Sequence, residues 1–239
     1  MTELARDRRL SPALAERILA YLVAQHSAEK RRGGDEPTVF VVDDDEDHRE
    51  SLKALFDSVG LKVTLFGSAA ELLGSKLPNV VSCLVLDIRL PGLGGLDLQN
   101  ELSKANISIP VIFMTGYGDI PMSVRAMKAG AVDFLTKPFR DQDMVDAVTI
   151  ALERDRTRRK AEQRLADLRS RLERLSQRER EVLALVATGL RNKQIAFQLN
   201  IAEITVKAHR GHVMQKMGAQ SLAELVKIAE TLGIKSPQS

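Results

Sequence analysis

Between residues 37 and 141 short apolar runs alternate with stretches of helical periodicity, and that alternation limits the fold more than any other feature of the chain. The runs TVFVV (38–42), LKVTLF (61–66), SCLVLD (82–87), IPVIFMT (109–115) and AVDFL (131–135) have the length and branched or aromatic content of strands. Amphipathic segments near 47–58, 68–76, 95–104, 119–129 and from 141 onward read as helices between them. Strands apolar on both faces, each followed by a helix, predict a parallel sheet covered on both sides, because parallel neighbours need a crossover and right-handed crossovers dominate. The expected fold of this part is therefore a five-stranded, doubly wound, flavodoxin-like α/β domain. In such sheets a ligand sits beyond the carboxyl ends of the strands, where the strand order reverses.

Polar residues cluster at those ends. Asp43 and Asp44 follow the first run, Asp87 ends the third, Thr115 ends the fourth and Lys137 follows the fifth. Three carboxylates converging in a cleft repel one another, and a divalent cation is the simplest compensation. Oxygen-only donors point to Mg²⁺, which keeps several waters and commonly shares its shell with a phosphate. Beside such an ion Asp87 is placed as a nucleophile toward a phosphoryl group, with Lys137 as a fixed positive charge and the Thr115 hydroxyl as a donor to phosphoryl oxygens. The neighbouring acids Asp45, Glu46 and Asp47 are expected at the surface, near the positive N-terminus of the following helix.

Charge divides the chain. Residues 37–146 hold 10 basic and 16 acidic side chains, whereas 147–174 and 175–239 each hold 9 basic and 5 acidic. An acidic first domain suggests a cation or phosphate site, and a basic second half suggests a polyanion. A helical linker is expected over residues 151–174; Ala161, Leu165, Leu168 and Leu172, with Leu175 just beyond it, repeat at 4-3-4-3 spacing, an apolar seam that either packs on its own domain or dimerises. Residues 175–239 read as four helices, with Gly189, Asn200, Gly218 and Gly233 at their ends. The short turn between the second and third suits a helix-turn-helix, in which the third helix would present Lys207, His209, Arg210, His212 and Lys216 on one face and Val206, Val213 and Met217 to the core. Before all this, residues 1–36 contain a helix expected over 11–29, able to dock, dimerise or remain a dispensable extension, and a charged Gly-containing linker.

Composition of 44% hydrophobic and 28% charged side chains fits globular domains rather than disorder. The single Cys83 lies inside an apolar run, so no disulfide framework exists and a core thiol in a reducing compartment is expected. No segment approaches a membrane span and no signal-peptide pattern opens the chain, so a soluble, cytoplasmic protein without membrane partners is expected. His209 and His212 lack further ligands for a zinc set.

The motifs VVDDDE, LVLDIRLPGLGGLDL, VIFMTGYGD and MKAGAVDFLTKPF resemble, in order and spacing, the receiver domain of two-component response regulators. LSQREREVLALVATGLRNKQIA and TVKAHRGHVMQKMGAQSLAELV resemble the LuxR-type DNA-binding domain, and the pair together the NarL/FixJ family, closest to its FixJ-like branch. The resemblance implies a transcriptional response regulator, not a metabolic enzyme, that dimerises on phosphorylation, binds promoter DNA and engages RNA polymerase. It implies that Asp87 accepts phosphate from a sensor histidine kinase, with Mg²⁺ held by Asp87, Asp44, Asp43 and the Arg89 carbonyl. It further implies a cis peptide before Pro138, a Thr115/Phe134 switch pair, and tuning of phosphate lifetime by Arg89 and Tyr117. On the DNA side it implies phosphate contacts from Asn192 and Lys193 and groove contacts from Lys207, Ala208, Arg210 and Gly211, with His209 on the same helix. Two departures stand out: Ala202 where Ser usually caps the helix, and Ile204 where a basic residue is common. The alternatives are a constitutively dimeric, phosphorylation-independent DNA-binding regulator and a Mg²⁺-dependent phosphatase, whose usual second acid is replaced here by Arg89.

Overall fold

Strand residues alternate between two helical layers, and the layers follow from the sequence. A computed structural model describes residues 36–116 and 120–234. The helix expected over 11–29 and the neighbour Tyr117 lie outside the described residues. Contacts divide the chain into two compact units, with the boundary between Arg158 and Arg159.

In the first unit β1 (Thr38–Val42), β2 (Lys62–Phe66), β3 (Ser82–Asp87), β4 (Val111–Thr115) and β5 (Asp133–Thr136) form one parallel sheet in the order β2-β1-β3-β4-β5. Every residue of β1, β3 and β4 is buried, while the edge strands β2 and β5 are partly exposed, as expected of a sheet covered on both faces. Alternation assigns the faces. Val39, Val41, Cys83, Val85, Ile112 and Met114 pack with α1 (Glu46–Ser58) and α5 (Asp141–Glu173). Phe40, Val42, Leu84, Leu86, Val111 and Phe113 pack with α2 (Ala69–Gly74), α3 (Gly95–Lys104) and α4 (Ile120–Lys128). Burial pushes the Cys83 thiol well above its usual pKa, so it acts as a small core residue.

Three strands start later than the sequence expectation, β2 at Lys62 rather than Leu61, β4 at Val111 rather than Ile109 and β5 by two residues, and β5 also runs one residue further, to Thr136. The fifth strand begins at Asp133 rather than Ala131, because Gly130 adopts a φ of +89° and the Ala131 N–H closes the end of α4 on the Ala126 carbonyl at 3.1 Å. At the edge of the sheet remote from the carboxyl ends, the fully buried Asp155 on α5 accepts the N–H of Ser82 at 3.0 Å, fixing where β3 starts.

The second unit is all helix: the end of α5, then α6 (Gln177–Ala187), α7 (Asn192–Leu199), α8 (Glu203–Met217) and α9 (Leu222–Thr231). Leu168, Leu172 and Leu175 join its core beside Leu183, Ile195 and Val206, so the C-terminal half of the leucine seam packs on its own domain. Asn200, at a φ of +51°, ends α7 and turns the chain into α8.

Candidate functional site

The order β2-β1-β3 places the reversal point between β1 and β3, and the chain emerges there with Asp43 and Asp87 on adjacent strand ends. Both are buried, at 1% and 8% exposure, and one ammonium bridges them: Lys137 Nζ donates to Asp43 Oδ2 at 2.8 Å and to Asp87 Oδ2 at 2.5 Å. Lys137 is delivered by the loop after β5, where its N–H bonds the Thr115 carbonyl at 2.6 Å and the Lys137–Pro138 peptide is cis. Thr115 is fully buried at the end of β4, and Phe134 on β5 is half-buried against the α3–α4 side of the core.

Backbone groups hold the carboxylates in turn. Asp87 Oδ1 accepts the N–H of Arg89 at 2.8 Å, and Asp43 Oδ1 accepts the N–H of Asp45 at 3.0 Å. Gly95, the first residue of α3, is required beneath this loop: a Cβ there would stand 2.6 Å from the Asp87 carbonyl oxygen.

Two side chains that the sequence reading passed over complete the pocket. His48 Nδ1 lies 2.6 Å from Asp43 Oδ2, and Arg49 donates to the Asp43 carbonyl at 2.7 Å. Both sit in the first turn of α1, which the Asp45 side chain caps by accepting the His48 N–H at 3.1 Å. The usable signal was positional, since the opening turn of a helix following a strand end lies over that end. Burial by itself would raise the Asp43 pKa, but hydrogen bonds from His48, Lys137 and the Asp45 backbone outweigh it and hold the carboxyl down to about 2. The carboxylate is thus an acceptor, which assigns the His48 proton to Nδ1. Burial opposes the charge on Lys137, but its two carboxylate partners raise its pKa above the ordinary lysine value.

Asp44 and Arg89 are exposed beside the pocket, and Asp45, Glu46 and Asp47 face solvent at the start of α1. Lys137 bridges two of the three expected carboxylates, with Asp44 exposed at the strand end next to Asp43; among the described residues no group of three or more His, Cys, Asp or Glu side chains is already gathered as a metal site. Two all-oxygen carboxylates around one cationic position still suit Mg²⁺, which takes one or two protein carboxylates and leaves the rest of its shell to water and phosphate.

On the second unit, α8 divides as its spacing predicts, with Val206, Val213 and Met217 buried and Lys207, Ala208 and Gly211 exposed. His209 and Arg210 are half-exposed, and Arg210 donates to the Asn192 side-chain oxygen at the start of α7, next to exposed Lys193. Lys216 departs from the expected basic face. Its ammonium binds the buried Glu179 carboxylate at 2.7 and 2.9 Å, and Glu179 also accepts the Ser176 N–H in the capping box of α6. Lys216 and the Ser176 backbone lower the Glu179 pKa against the opposing effect of burial. That cation is therefore committed to joining α8 to α6. Among the described residues no helix is long and apolar enough to cross a membrane.

Residues 39–149 match the response regulator receiver domain family, and residues 173–229 match the family of bacterial regulatory proteins, luxR family. Nodulation protein W of Bradyrhizobium diazoefficiens is 64% identical over 198 residues, 83% of this chain and 87% of that protein. The transcriptional regulatory protein FixJ of Azorhizobium caulinodans is 45% identical over 196 residues, 82% and 93% of the two chains. Among solved structures, the response regulator StyR superposes with a TM-score of 0.74 at 48% identity, over 82% of this chain and 98% of StyR.

Proposed function

Because this chain belongs to the NarL/FixJ family, two-component transcriptional response regulators joining a receiver to a LuxR-type DNA-binding domain, we propose that a phosphoryl group on Asp87 switches its binding to promoter DNA. The observation that carries this reading is the single Lys137 ammonium bonded to Asp43 at 2.8 Å and to Asp87 at 2.5 Å, which bridges two buried carboxylates at the sheet's reversal point.

In the proposed reaction an Asp87 carboxylate oxygen attacks the phosphorus of a phosphohistidine on a sensor histidine kinase. The P–O bond forms as the P–N bond breaks, and the imidazole leaves with the electron pair. Asp43, Asp44, Asp87 and the Arg89 carbonyl would hold Mg²⁺, which would supply charge neutralisation for the phosphoryl oxygens. Lys137 follows the developing charge and the Thr115 hydroxyl donates to it, while Phe134 packs inward behind Thr115. The altered surface pairs two receivers, so two DNA-binding domains act as one and roughly double the phosphate contacts. Asn192 and Lys193 then meet the DNA backbone, and Lys207, Ala208, His209, Arg210 and Gly211 meet the major groove. The bound pair recruits RNA polymerase in the cytoplasm, as a regulator rather than a metabolic enzyme.

Light-scattering mass with Mg²⁺, before and after acetyl phosphate, tests this. Wild type is expected to gain one phosphoryl group by intact mass and to shift from monomer to dimer, and Asp87→Asn to do neither. Equal dimerisation of both proteins would establish constitutive pairing instead, and steady turnover of small phosphomonoesters would establish a phosphatase.

A further inference from the structure

Ile204 is 72% exposed in the first turn of α8, and with Phe197 it is one of the two most exposed large apolar side chains among the described residues. Water is a poor environment for a branched aliphatic group, and nothing in the second unit covers it. Its helical partners give it direction. Ile204, Lys207, Ala208 and Gly211 follow i, i+3, i+4, i+7 spacing, all are exposed, and they lie opposite the buried Val206, Val213 and Met217. Ala208 carries only a methyl, and a Cβ placed on Gly211 would meet no atom within 4 Å, so this strip is shallow and its backbone can approach a partner closely.

The strip is also poor in polar readers. Of its four residues only Lys207 is charged. A helix entering the major groove presents its N-terminal residues to base edges. The groove offers one apolar feature on those edges, the C5-methyl of thymine.

We propose that Ile204 is a specificity-determining residue that packs on a thymine methyl, so that this protein prefers a thymine opposite the start of α8. The inference rests on the DNA-binding reading of the second unit and adds to it the base chemistry that one position selects. A polar or basic side chain there could bond a phosphate or a base edge, whereas Ile204 has no hydrogen bond to offer and gains by covering a methyl.

The experiment uses the full chain with Mg²⁺ and beryllofluoride and a duplex recovered by selection from a random-sequence pool. Each thymine of that duplex is replaced singly by uracil, which removes the methyl and leaves the hydrogen-bonding edge intact. Wild type is expected to lose about fourfold in affinity at one thymine per bound domain, the worth of one methyl kept from water. Ile204→Ser is expected to bind the thymine and uracil forms equally, and because this position is outside the core the variant keeps the wild-type fold, which circular dichroism checks. Equal affinity of wild type for every uracil form, or a thymine preference retained by Ile204→Ser, would overturn the inference while leaving DNA binding in place. Recovery of no duplex would remove the DNA-binding reading, and the inference with it.

Discussion

One oxygen, Oδ2 of Asp43, receives both His48 Nδ1–H at 2.6 Å and the Lys137 ammonium at 2.8 Å. Any pull on Lys137 toward an incoming phosphoryl group leaves His48 as the side-chain donor that keeps this carboxylate oriented. The His48 ring also lies 6.0 Å from the ring of Phe139, two residues beyond Lys137, so it couples the opening turn of α1 to the loop that carries the ammonium. Outer donors of this kind commonly change metal affinity by about tenfold or more. His48→Val is therefore expected to weaken Mg²⁺ binding about tenfold by titration calorimetry, with His48→Gln, which keeps a donor, recovering most of it. Unchanged affinity in the valine variant, or a glutamine variant as weak as valine, would reduce His48 to packing. Asp43, Asp87 and Lys137 were legible in the sequence because strand ends of a parallel sheet must meet at one edge. His48 was not, because its role depends on which way the first turn of α1 leaves the strand, and a one-residue change in the cap would rotate it away.

At the level of elements, strands announced themselves because burial on both faces demands unbroken apolar runs, and β1, β3 and β4 are buried throughout. Helix α8 was harder to read, since its cations serve different ends. Spacing alone grouped Lys216 with Lys207, but the buried carboxylate that claims Lys216 comes from Glu179, 37 residues earlier, and such a pairing leaves no local trace. The start of α8 does leave one. Its N-cap is Ala202, which makes no side-chain cap hydrogen bond, whereas Ser176 caps α6 and Ser221 caps α9 through their hydroxyls. A backbone N–H in the first turn is thus unserved by any cap side chain. Ala202→Ser is expected to stabilise the second unit by about 1 kcal/mol, read as a rightward shift in chemical denaturation followed by helical circular dichroism. A shift toward lower denaturant would mean that the extended backbone at Ala202 cannot turn a hydroxyl onto that N–H.

Among the described residues, each unit contains a buried carboxylate whose pKa is lowered by a lysine from a distant part of its own unit: Asp43 with Lys137, and Glu179 with Lys216. A carboxyl lowered in the folded state stabilises above its unfolded pKa, and the stabilisation is lost as pH falls toward the folded value. For Asp43 that window runs from an ordinary carboxyl near ~3.9 to about 2 in the folded protein, and the contribution at neutral pH is about 2 kcal/mol. The raised pKa of Lys137 reports the same ion pairs from the other side, so its contribution does not add to that figure. Acid should therefore loosen both units for the same physical reason, through different residues. Hydrogen exchange resolved by peptide separates them: between pH 4 and 2, protection in β1 and β3 should fall in wild type and stay flat in Asp43→Asn, which has no proton to take up. Protection in α6 and α8 should fall in both proteins, because Glu179 is intact in each. If Asp43→Asn instead lost protection in β1 and β3 with the wild-type pH dependence, the acid sensitivity of the sheet would belong to other carboxylates, and the Lys137 bridge would matter for phosphoryl chemistry without governing stability.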